Sequence, residues 1–177
     1  YGVVQHSERM GTTTTVDLPA GDTPNSPRTS YDWGFVELST SGGATLNGNN
    51  GHGFGVNNTW FQRNESFTMN FDQAVSGFKL EIDKVDTAGK VSVTLWHGAE
   101  SETITVNIGK NTDALEITPA QLLAAGATFT DFDKAVVTGL DTNAKHDIKI
   151  SFGNELSYTQ TTPADALGFT VHVTGTD

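Results

Sequence analysis

Apolar and polar residues alternate along most of this chain. In SFTMNF, Phe67, Met69 and Phe71 alternate with Ser66, Thr68 and Asn70, and in GFKLEI the apolar positions are Phe78, Leu80 and Ile82. Val91, Val93 and Leu95 continue the pattern in KVSVTLW, as do Ile104, Val106 and Ile108 in ETITVNI. It returns at Ile148, Ile150 and Phe152 in HDIKISF and at Phe169, Val171 and Val173 in GFTVHVT. A period of two with polar partners predicts strands that wet one face. Phe and β-branched residues fill the apolar positions, as a pleated surface favours. VVQHSE, TTTTVDL and DWGFVEL add three N-terminal strands, for about ten in all, enough for two packed sheets. The short linkers DQAVS, DKVDTAG and HGAES predict antiparallel neighbours, because a parallel crossover needs about a dozen residues.

One segment breaks the alternation. In TPAQLLAAG, Thr118 is followed by Pro119 and, three residues on, by Gln121. A capping box with Pro at the first helical position predicts a short helix near 118–125. Leu122 and Leu123 supply its apolar side and Gly126 its stop. The fold class expected is therefore all-β: an antiparallel β-sandwich of jelly-roll type, closed at one end by a short helix. The 177 residues suit a single domain over 1–177, expected to be cut from a longer protein.

Composition narrows the function. The net charge is −11 and the ten Lys and Arg are scattered, which disfavours a nucleic-acid partner. No apolar run approaches the ~20 residues of a membrane helix. With no cysteine, disulfides, thiolate metal sites and cysteine catalysis are excluded. No nucleophile elbow or phosphate-cradling motif is present. Paired loop acids would suit a glycosidase only across a groove that sequence cannot establish. The expectation is a non-catalytic protein.

Ion and ligand binding fit better. Calcium takes several oxygens from flexible loops. LDTNAKHD offers Asp141, Asn143 and Asp147, and Asp83, Asp86 and Asn47 are similar candidates. Each also reads as an ordinary Asp/Asn turn former. The stretch NGNNGHGFGVNNTW (47–60) packs Asn, Gly and aromatic residues into one loop. Asn49, Asn50, His52, Trp60 and, just beyond, Arg63 are the candidate ligand contacts. Of Trp33, Trp60 and Trp96, about one is expected to be partly exposed at a site and the others to join the core.

The pattern GHGFGVN followed by TWFQRNESFTMNFDQAVSGFKLEI resembles a β-sandwich module of large bacterial repeats-in-toxin adhesins exported by type I secretion. The likeness rests on Gly53–Val56, Glu65, Phe67–Phe71 and Phe78–Ile82, and runs in strand order over roughly 51–175. Within that group it is closest to the domain that binds peptides on target cells. The resemblance implies calcium-ordered loops, a free peptide C-terminus on a cell-surface protein as ligand, a monomeric module, and an extracellular place at the bacterial surface. A glycan ligand, or a ligand-free structural spacer, are the alternatives. Exposed aromatics flat along a face would favour glycan; a compact pocket with a cation or backbone N–H groups aimed at a carboxylate would favour a peptide terminus.

Overall fold

A computed structural model describes residues 10–17, 27–48, 53–140 and 148–162. Among them lie thirteen strands and one helix. The strands are β1 (Met10–Asp17), β2 (Ser30–Asp32), β3 (Val36–Ser39), β4 (Leu46–Gly48), β5 (Phe54–Val56), β6 (Phe61–Gln62) and β7 (Ser66–Val75). They continue with β8 (Gly77–Thr87), β9 (Gly89–His97), β10 (Glu100–Ile108), β11 (Ala114–Ile117), β12 (Phe132–Gly139) and β13 (Lys149–Thr162), with α1 (Pro119–Ala124) between β11 and β12. One sheet, here sheet A, runs β11-β8-β13-β5-β4, with β1 and β6 also on β13. The other, sheet B, runs β10-β9-β12-β7-β3-β2. Every described pairing between strands is antiparallel, which gives the expected sandwich.

The linkers are where expectation and structure part. HGAES does join a hairpin, β9–β10, with Glu100 opposite His97. DQAVS and DKVDTAG do not: most of their residues extend the strands, and β7–β8 and β8–β9 cross between sheets. Short linkers suit such corners as well as hairpins. At the first corner Gly77 is required, because a Cβ there would lie 2.6 Å from the Ile117 carbonyl oxygen. DWGFVEL forms two strands rather than one. Asp32 Oδ1 accepts from the Gly34 N–H at 2.7 Å and the Trp33 N–H donates to the Val36 carbonyl at 2.8 Å, turning the chain into a hairpin. VVQHSE and GFTVHVT lie outside the described residues.

The inward faces meet through phenylalanines. Phe152 of sheet A stands 5.1 Å from Phe67 of sheet B, and Phe54 and Phe61 complete that cluster. Phe78 and Phe132 face each other at 6.1 Å. These rings are fully or almost fully buried. In α1 the expected capping box forms between Thr118 and Gln121, the Thr118 N–H donating to Gln121 Oε1 at 2.7 Å, and the Gly126 N–H donates to the Leu123 carbonyl at the stop. Only Leu122 packs inward; Leu123 is 63% exposed, so the apolar side is one residue narrower than expected.

Candidate functional site

Two outer sheet faces carry a half-buried tryptophan beneath a lysine. On sheet B the alternation that buries Val91, Val93 and Leu95 turns Ser92, Thr94 and Trp96 outward. The ladders then align one polar row across all six strands: Ser101, Trp96, Lys134, Asn70, Glu37 and Asp32. A second row lines up Thr103, Thr94, Val136, Thr68, Ser39 and Ser30. Lys134 Nζ lies 4.8 Å from the Trp96 ring centroid. The Asn70 amide donates to Ser39 Oγ at 3.3 Å, and Thr94 and Thr103 share a hydroxyl bond of 2.9 Å. At a strand spacing of about 4.8 Å, the first row is about 24 Å long.

On sheet A the arrangement is tighter. Phe61 pairs with Ile150 and Gln62 with Lys149, so Trp60 stands one step beyond, on the side of Ser151. Ser151 faces Lys84 across the other ladder. Lys84 and Lys149 bring their ammonium groups to 5.4 Å and 4.8 Å from the Trp60 ring. Lys149 also pairs with Asp86 at 3.7 Å. Ser151 is 3% exposed, and its hydroxyl has no hydrogen-bond partner among the described residues. Leaving a buried hydroxyl unpaired costs about 1–3 kcal/mol. The backbone at Trp60 is held by its amide N–H, which donates to Asn58 Oδ1 at 2.7 Å.

Of the residues chosen from sequence, Trp60 and Asp86 come together through Lys149. Two tryptophans, not one, are partly exposed, and Trp33 alone is core. Asp83 and Asp86 are exposed at the register shifts of β8, where two residues oppose one on β13. Asn47 sits in β4 with its Oδ1 accepting from Thr45 Oγ1 at 3.1 Å. Arg63 lies in the turn between β6 and β7, half-buried. Asn49, Asn50, His52, Asp141, Asn143 and Asp147 lie outside the described residues. Among the described residues no group of three or more His, Cys, Asp or Glu is placed to hold a metal ion.

No family model matches the chain, and no curated protein matches it. Among solved structures it is similar to the family 32 carbohydrate-binding module of C. perfringens NanJ in complex with galactose. That match has 13% identity and a TM-score of 0.40, covering 85% of this chain and 93% of the other. A family 29 carbohydrate-binding module matches at 17% identity and a TM-score of 0.39, over 85% of this chain and 89% of its own. Overlaps of this order pass no ligand to this chain.

Glu65, part of the adhesin-like pattern, is a builder rather than a contact. Its Oε1 accepts from the Gln62 N–H at 2.6 Å and its Oε2 from the Asn57 amide at 3.4 Å, tying two loops together. Burial pushes its carboxyl above the usual range and outweighs those hydrogen bonds. Sequence reasoning missed Lys149, Ser151, Lys134, Asn70 and Glu37. Their signal was present as the polar half of each alternating strand, but its partners across the ladder are set by register.

Proposed function

We propose that this chain is a non-catalytic carbohydrate-binding module, with the outer face of sheet B as its platform. The observation that carries the reading is the six-residue row containing Trp96. It joins an indole to hydroxyl, ammonium, amide and carboxylate groups along one line. A hydroxyl-rich chain needs such a mixture of donors and acceptors, with an aromatic surface for its C–H faces. The length of the row suits an oligosaccharide rather than one ring. Calcium is proposed to act on the loops rather than on this face, through Asp141, Asn143 and Asp147, and an extracellular setting is proposed with it.

The test is a panel of neutral oligosaccharides titrated against the wild type and Trp96→Ala, each with calcium and with EDTA. Trp96→Ala is expected to weaken the best ligand by about tenfold or more. EDTA is expected to lower the melting temperature, since an ion bound to the native state stabilises it. Unchanged binding in Trp96→Ala would remove the platform, and an unchanged melting curve would remove the ion. A peptide C-terminus is the second reading, favoured by the two ammonium groups at Trp60.

A further inference from the structure

We propose a second site on the opposite sheet, at Trp60, Lys84, Lys149 and Ser151, that takes the carboxylate of an acidic sugar. Two ammonium groups converge on one indole in a chain whose net charge is −11, with Asp86 against one of them and Asp83 exposed next to Lys84 in the chain. Asp86 balances Lys149 alone. Lys84 has no ion-pair partner among the described residues, which leaves one ammonium for an incoming anion. Ser151 supplies an independent pointer. Its hydroxyl is buried between Lys84 on one ladder and the Trp60 side of the other, with no partner among the described residues. A carboxylate oxygen accepting from the ammonium meets the first need, and one that reaches the hydroxyl, which is closed off from solvent, must first displace the side chains over it.

A hexuronate combines that carboxylate with a ring whose C–H face can lie along the indole. This choice of occupant rests on the carbohydrate reading above; the anion site itself does not. A free peptide terminus presents the same carboxylate without the ring, and is the other source to be tested.

The experiment titrates the chain with trigalacturonate and with its methyl ester, which removes the charge and keeps the sugar. A free-acid peptide and its amide form the second pair. The acid sugar is expected to bind about tenfold or more tighter than its ester, with the gap closing as salt rises. Lys84→Gln with Lys149→Gln is expected to abolish the gap, and Ser151→Ala to narrow it while leaving the fold intact. Trp96→Ala is expected to keep the gap, so failure of the sheet B platform reads separately. Equal binding of acid and ester would overturn the site. A gap that survives the lysine substitutions would place the anion elsewhere and overturn it as well. Binding of the free-acid peptide with none of trigalacturonate would overturn the acidic-sugar occupant.

Discussion

The two outer faces use the same parts and reach different ends. Each sets a tryptophan under lysine, beside hydroxyls, on the polar side of alternating strands. On sheet B the rows through Trp96 and Thr94 stay in step across six strands, so the polar side chains form long open rows. On sheet A, β8 shifts register against β13 beside Asp86 and Asp83. There the lysines turn toward Trp60, and Ser151 is closed in. Where pairing stays regular the side chains form rows, and where β8 bulges twice they gather at a corner; the shift on sheet B, between Phe132 and Lys134, lies just outside the two rows. Bulges bend a strand and re-aim its side chains, which is enough to separate the two outcomes.

The largest expected effect tests whether the faces share one foundation. Phe152 touches Phe54, Phe61 and Phe67 and so joins the sheets beneath the Trp60 corner. Phe152→Ala is expected to cost about 3–5 kcal/mol in urea unfolding. A loss under ~1 kcal/mol would mean that the sheets are held together elsewhere.

A smaller effect sharpens the contrast between the tryptophans. Trp60 meets two ammonium groups and Trp96 meets one. Each cation–π contact is worth about 0.5–1 kcal/mol at an exposed site. Trp60→Leu is therefore expected to cost about 1 kcal/mol more than Trp96→Leu in the same unfolding assay. Equal costs would show that the second lysine adds nothing to the corner.

The smallest effect concerns Glu65, which supports the loops beside the Trp60 corner. A carboxyl with a raised folded-state pKa costs stability once it ionises. Its contribution is therefore most favourable in acid and is lost as pH rises through the raised value. Glu65→Gln removes that titration. As pH falls from about 7 to 4, the wild type is expected to gain stability relative to Glu65→Gln in paired melting curves. Parallel curves would show that the burial of this carboxyl has no energetic weight.

Alternation made the sandwich legible before any coordinates, because one buried face is a local property of each strand. The capping pattern at Thr118 and Gln121 was legible for the same reason. The short linkers misled at Ser76 and Ala88, since a hairpin and a corner between sheets ask for the same few residues. The candidate sites were less legible still. Trp60 and Asp86 stood out as residue types, but Lys149 and Ser151 read as ordinary strand positions.

What the chain determined by itself was which side chains face water wherever alternation is regular: Lys149 and Trp96 fall on the polar-facing positions of HDIKISF and KVSVTLW, whereas Lys84 shares the phase of Phe78, Leu80 and Ile82 and faces outward only because β8 bulges at Asp83. What only the tertiary structure decided was who stands beside whom. Lys84 and Lys149 are far apart in sequence, and one register step would flip a strand's side chains to the other face. Long-range pairing is settled by the packing of both sheets on the phenylalanine core, and no local window of sequence contains that information.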